Sequence, residues 1–227
     1  MPAFPKPVAL FAGLEPAVLA NIRSAAGRRA VEPGAAFFHE GDEASAFFVL
    51  EDGSVKLTQL TPEGHQVVLR LLGPGDAFGG VAAFGGATYP VSAEAVTPAS
   101  ALIWPGDVMA SLMERHPKLA LNAVKFVAVR LHELQVQYRQ LATEKVERRV
   151  ARALLRLVQQ AGREVDAGVL IDLPLSREDI AQMTGTTLYT VSRIISRFEG
   201  DGLLEAGRQR VVIRDQGALT RIADDLE

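Results

Sequence analysis

LSREDIAQMTGTTLYTVSRIISRFEGDGLLEAGRQRVVIR, residues 175–214, decides how the rest of the chain is read. Ser176 followed three residues later by Asp179 forms a capping box, in which each side chain satisfies a free backbone N–H of the other. Ile180 and Met183 then fall at helical spacing, and Gly185 supplies the permissive backbone for a tight turn. Thr187 caps a second helix whose buried stripe is Val191, Ile194, Ile195 and Phe198. Leu188, Tyr189, Thr190, Ser192, Arg193 and Arg197 share its outer faces. From Ile180 to Phe198 there are two arginines and no acid, so nothing along this stretch repels phosphate.

A hairpin follows. Leu203 and Leu204 lead to a turn near Gly207–Arg208, then to the alternating run Arg210-Val211-Val212-Ile213-Arg214. Its outward residues, Arg208, Arg210 and Arg214, suit a sugar-phosphate backbone, where contacts add affinity and register but little sequence information. Helix, turn, helix and basic hairpin in that order predict a winged helix-turn-helix, expected to bind DNA through Arg177, Thr187, Tyr189, Thr190, Ser192, Arg193, Arg197, Arg208 and Arg210. The alternative is an ordinary helical hairpin with a solvated face.

The chain has 227 residues, no cysteine and a formal net charge of −3. That length allows one large or two modest domains. Without cysteine, disulfides, thiolate zinc sites and cysteine-ligated iron–sulfur clusters are excluded. The weak acidity gives no general attraction to nucleic acid, so DNA contact must come from local clustering. No apolar run reaches the ~18 residues of a membrane span, and MPAFPKPVALFAGLEP is too proline-rich for a secretory signal. A cytoplasmic location is expected.

From about Val31 to Trp104 the sequence is a series of short β-type runs punctuated by glycine: PG at 33–34, EGD at 40–42, DG at 52–53, EG at 63–64 and GPGD at 73–76. Between them lie Phe37-Phe38, Ala46–Leu50, Val55–Leu60, Val67–Leu72 and Ser100–Trp104. The spacing predicts a small antiparallel barrel or jelly roll. Short helices are predicted at Glu15–Ala26 and Asp107–His116.

Ala120, Val124, Val127, Leu131, Leu134, Tyr138 and Leu141 then recur at alternating steps of four and three, an a/d heptad seam free of glycine and proline. Leu119, Ala123 and Phe126 form a second stripe. One helix therefore has a face for its own roll and a face for a twin, which predicts a parallel homodimer. A new apolar pattern begins at Val146. The expected division is a β-roll sensor over 1–117, a dimerisation helix over 118–142 and a winged helix-turn-helix over 143–227, an α+β chain.

This order of parts resembles the cyclic-AMP receptor protein/FNR superfamily of bacterial transcription regulators. The likeness covers nearly the whole chain. It is most specific in SREDIAQMTGTTLYTVSRIISRFEGDGLL and in GPGDAFGGVAAFGGATYPVSAEA. It implies a homodimer that binds double-stranded DNA at an inverted repeat, acts with RNA polymerase, and shifts between conformations when a signal reaches its roll. Arg177 matches a position that touches phosphate, Arg193 the arginine that reads guanine, and Ser192 the serine beside it in the FNR branch. Tyr189 stands where both branches commonly place a glutamate, so the usual half-site does not carry over intact.

The effector site departs further from the family. GPGDAFGGVAAF occupies the phosphate-binding cassette, but Gly79 is followed by Gly80 where nucleotide-binding members place a glutamate for the ribose. The cassette's arginine and serine are met by Tyr89 and Pro90. The threonine and serine that reach adenine align near Leu134 and Gln135. A phosphodiester buried there would lack its cation, so cyclic AMP is not expected. Phe78, Val81, Phe84, Tyr89 and Leu131 either line an apolar pocket or fill the roll. Because the family includes haem-dependent gas sensors, haem stays open, with His132 on the long helix as the ligand to consider among four histidines. The competing class, a cupin-like small-molecule enzyme, would need clustered histidine and carboxylate ligands on inward strand positions, which the pattern lacks. No P-loop, nucleophile elbow or HExxH is present, so no enzyme is expected.

Overall fold

The computed structural model describes residues 4, 7–80 and 85–224. The chain forms two compact units, Met1–Gln59 with Arg70–Leu134, and Leu60–Leu69 with Gln135–Glu227.

The first unit is built on eight strands: β1 (Gly27–Val31), β2 (Ala36–Phe38), β3 (Ala46–Asp52), β4 (Val55–Leu60), β5 (Gln66–Leu72), β6 (Ala77–Phe78), β7 (Ser92–Ala95) and β8 (Ala99–Pro105). They form two four-stranded sheets ordered β1-β8-β3-β6 and β2-β7-β4-β5, with antiparallel pairings throughout the registered pairs. Strand β3 explains the arrangement. Its residues from Ala46 to Leu50 are all buried, because a strand presents successive side chains to opposite faces. Ala46, Phe48 and Leu50 enter one core with Phe37, Phe38, Phe78 and Tyr89, inside the roll. Phe47 and Val49 enter a second core with Trp104, Met109, Leu112 and Leu119. Trp104 is fully buried and donates its indole N–H to the Ile22 carbonyl at 2.8 Å, which anchors α1 (Pro16–Ser24).

Helices α2 (Gly106–Arg115) and α3 (Pro117–Thr143) follow the last strand of the roll. At 27 residues, α3 runs about 40 Å. Its two stripes separate as the spacing predicts. Leu119 and Ala123 are buried in the second core, and Phe126 packs against it. Val124, Val127, Leu131, Leu134, Tyr138 and Leu141 stay 49–76% exposed, a continuous apolar face. Ala120 departs from the seam: it packs partly into the roll-side core, because at the start of the helix the two stripes converge on that side.

The second unit holds α4 (Val146–Ala161), the hairpin β9 (Gly162–Val165) and β10 (Gly168–Ile171), α5 (Arg177–Thr184), α6 (Leu188–Gly200), the hairpin β11 (Leu204–Gly207) and β12 (Arg210–Ile213), and α7 (Gln216–Asp224). The strands form one sheet ordered β11-β12-β10-β9. Strand β12 is interior to that sheet. Val211, Val212 and Ile213 are therefore all buried, where the sequence alternation alone predicts one outward face.

Candidate nucleic-acid interface

The capping box of α5 forms as its spacing predicts: the Ser176 hydroxyl accepts from the Asp179 N–H at 3.0 Å, and Asp179 accepts from the Ser176 N–H at 3.0 Å. Gly185 closes the helix with φ +60°, a left-handed turn that costs glycine little. Arg149 of α4 fixes this turn from behind. Its guanidinium donates to the carbonyls of Thr184, at 3.0 Å, and Gly185, at 3.4 Å, which have no helical partner of their own.

Thr187 then caps α6, its hydroxyl accepting from the Thr190 N–H at 3.2 Å. Val191, Ile194, Ile195 and Phe198 are buried, which turns the opposite face of α6 outward. Tyr189, Arg193, Ser196 and Arg197 are exposed there, with Thr190 and Ser192 half-buried at its margins. The Arg193 guanidinium carbon lies 5.9 Å from the centre of the Tyr189 ring. Arg208 and Arg210 are exposed at the tip of the β11–β12 hairpin, where Gln209 takes φ +55°.

Space adds acids that the sequence order hides. Glu147 of α4 forms an ion pair with Arg197 and lines the same open recess as Tyr189, Thr190, Ser192 and Arg193. Arg177 is paired with Glu199 at 3.6 Å, and Arg214 with Glu205. Phosphate must compete with carboxylates at three of the basic positions, while Arg193 faces only a ring. Glu147 escaped the sequence reading because it lies fifty residues upstream, in another helix. Leu188, the first residue of α6, is 47% exposed and was left out of the site because it carries no polar group.

The residues expected to form an effector site do not gather as one. Phe78 and Gly80 line an apolar recess of about 400 Å³ with Phe47, Met113, Phe126 and Val127. Tyr89 is buried elsewhere in the roll, its ring stacked on Phe38 at 3.7 Å between centroids. Its hydroxyl donates to the Ala46 carbonyl at 2.7 Å and accepts from the Ala46 N–H at 2.9 Å. Pro90, Leu131, Leu134 and Gln135 are exposed, and Val81 and Phe84 lie outside the described residues. Gly79 takes φ +70°, and a Cβ there would stand 2.8 Å from the Ala46 carbonyl and 2.9 Å from the Phe48 ring, so the cassette backbone is pressed onto β3.

Two cations missed by the sequence reading stand in this unit. Arg70 is paired with Asp76 at 2.6 Å, and its burial pulls the guanidinium below its ordinary pKa, partly opposed by Asp76. Arg130 is paired with Glu133 at 2.5 Å and lies over Phe126, with its Nε buried and without a partner. Both charges are already matched by carboxylates. For a cyclic phosphodiester the fit is therefore poor: Gly80 offers no carboxylate, and Tyr89 is committed to backbone.

The histidines lie apart. His39, His65 and His132 are exposed. His116 is half-buried between α2 and α3 with its Nε2 unpartnered, because it is the single residue joining two packed helices; sequence alone places it in solvent. Among the described residues no three histidine, cysteine or acidic side chains gather as a metal site, and no helix is long and apolar enough to cross a membrane.

Residues 28–116 match the cyclic nucleotide-binding domain family, and residues 148–222 match the Crp-like helix-turn-helix domain. The chain is 30% identical to the cyclic AMP receptor protein of Thermus thermophilus over 214 residues, covering 94% of this chain and 96% of that protein. It is 32% identical to the transcriptional regulator LdrP of the same species over 184 residues, covering 81% and 90%. Among solved structures, FixK2 from Bradyrhizobium japonicum shares the fold with a TM-score of 0.79 at 24% identity, covering 87% of this chain and 96% of that one.

Proposed function

The chain belongs to the CRP/FNR family of transcription regulators, and on that premise we propose that it is a homodimer that reads an inverted-repeat DNA site. Members of this family bind DNA and act as dimers. The observation that carries the proposal is the outward face of α6, where Arg193 stands exposed with no carboxylate against it. Arg193 reads a guanine edge. Thr187, Tyr189, Thr190 and Ser192 surround it, while Arg177, Arg197, Arg208 and Arg210 engage backbone phosphates. Two copies pair through Val124, Val127, Leu131, Leu134, Tyr138 and Leu141, which removes from water an apolar face that a monomer leaves open.

The division of labour follows the chain: a roll over 1–117, a dimerisation helix over 118–142 and a DNA-binding domain over 143–227. A signal at the roll biases the placement of the two recognition helices by population shift. Bound near a promoter, the dimer acts through RNA polymerase, in the cytoplasm and without catalysis of its own.

The cyclic AMP in its relative's name does not transfer. Gly80, Tyr89 and Pro90 supply neither the ribose partner nor the phosphate cation, and desolvating a phosphodiester without them is costly. Haem has no paired ligands to recommend it, since His132 is exposed and stands apart from the other histidines. Calorimetry of the purified protein with cyclic AMP tests the effector half of the proposal. No saturable heat is expected, and a clear micromolar isotherm would overturn it.

A further inference from the structure

Leu188 and Tyr189 stand side by side at the start of α6, 47% and 72% exposed. Large apolar surface is left in water only at a cost, and nothing in the described residues of this unit covers it. The first residues of a recognition helix are the ones that reach base edges in the major groove. On that groove floor the thymine C5-methyl is the apolar feature, whereas every other group donates or accepts a hydrogen bond. Leu188 has no group that could answer such a donor or acceptor, so opposite guanine, cytosine or adenine it would leave base polar atoms desolvated and unpaired.

We propose that Leu188 is a specificity-determining residue that selects a thymine in each half-site through its methyl group. Tyr189 supports this assignment by turning its ring toward Arg193 one helical turn on, with Cζ 5.9 Å from its centre. The two side chains thus divide the start of the helix: Leu188 takes the methyl, and the Tyr189–Arg193 pair takes the guanine. Leu188 precedes Arg193 by five positions, a rise of about 7.5 Å along the helix, which is about two base steps of 3.4 Å. The selected thymine therefore lies within about two steps of the guanine.

The inference rests on the proposal that α6 reads DNA, and the test separates the two. Full-length protein first enriches its site from a random duplex pool. Each thymine of that site is then replaced by deoxyuridine, which removes the methyl and leaves all hydrogen bonds in place. One thymine per half-site should respond, with binding weakened about fourfold for one replacement and about fifteenfold for both, the loss of about 0.8 kcal/mol per methyl. Leu188→Ala should bind thymine and deoxyuridine sites equally while keeping its dependence on the guanine. A site with no methyl-sensitive thymine, or sensitivity that persists in Leu188→Ala, overturns the role of Leu188 alone. A pool that yields no enriched sequence overturns DNA reading by α6, and this inference with it.

Discussion

The Arg193 guanidinium carbon lies 5.9 Å from the centre of the Tyr189 ring, one turn back along the same exposed helix face. An exposed cation–π contact of this kind contributes about 0.5–1 kcal/mol. Replacing Tyr189 by Ala should therefore weaken specific DNA binding about two- to fivefold by freeing Arg193, with the melting temperature unchanged. Tyr189→Phe should keep most of the affinity, because the ring and not the hydroxyl holds the cation. Fluorescence anisotropy on one labelled duplex distinguishes the pair; equal losses would show that the hydroxyl matters instead.

Glu147 competes with phosphate for Arg197. Both side chains are at least one-third exposed, so the ion pair adds less than about 1 kcal/mol to stability. Glu147→Gln should fold as well as the parent and bind DNA more tightly at low salt. The slope of log affinity against log salt should steepen by about one unit as Arg197 becomes available. An unchanged slope would place Arg197 away from the DNA backbone.

Tyr89 holds both polar groups of Ala46 in a buried place. Tyr89→Phe removes a donor and an acceptor at once, leaving backbone N–H and C=O unpaired, at a cost of about 1–3 kcal/mol. Chemical denaturation should show that loss in the roll while DNA affinity of the folded protein is retained. A variant of parental stability would mean that the hydroxyl serves a ligand rather than β3.

Leu131 and Leu134 sit on the exposed face of α3. Changing both to Lys would set like charges against each other across a pairing helix. Sedimentation should then report monomers that no longer bind an inverted repeat. A double variant still dimeric with parental affinity would exclude this face as the seam.

Most of this architecture is written in local pattern. The capping box at Ser176, the αL turn at Gly185 and the stripe from Val191 to Phe198 are short-range signals, and each forms as spaced. The same holds for the two faces of α3, apart from Ala120. What pattern does not reveal is either too short or disguised by composition. Strand β6 has two residues, β7 is Ser-Ala-Glu-Ala, and β1 carries Arg28 and Arg29 with four exposed positions. None of these has the β-branched or aromatic run that marks a strand, and their pairing comes from neighbours distant in sequence. The β9–β10 hairpin and α7 were hidden in the same way. The site shows a parallel limit: the basic face of α6 was legible, but Glu147, Arg70 and Arg130 act through contacts that only the fold creates.

The central claim is that Arg193 reads a guanine in each half of an inverted repeat. Selection of random duplexes by the full-length protein, run in parallel with Arg193→Ala, tests it most directly. Two recognition helices about a two-fold axis predict inverted half-sites whose centres lie about one helical turn, ~34 Å, apart. The variant should lose discrimination at one base pair per half-site, about 1–3 kcal/mol each, while other positions keep theirs. Arg210→Ala, by contrast, should weaken all sequences alike. A selection without an inverted repeat, or one in which Arg193→Ala recovers the parental site unchanged, would contradict the account.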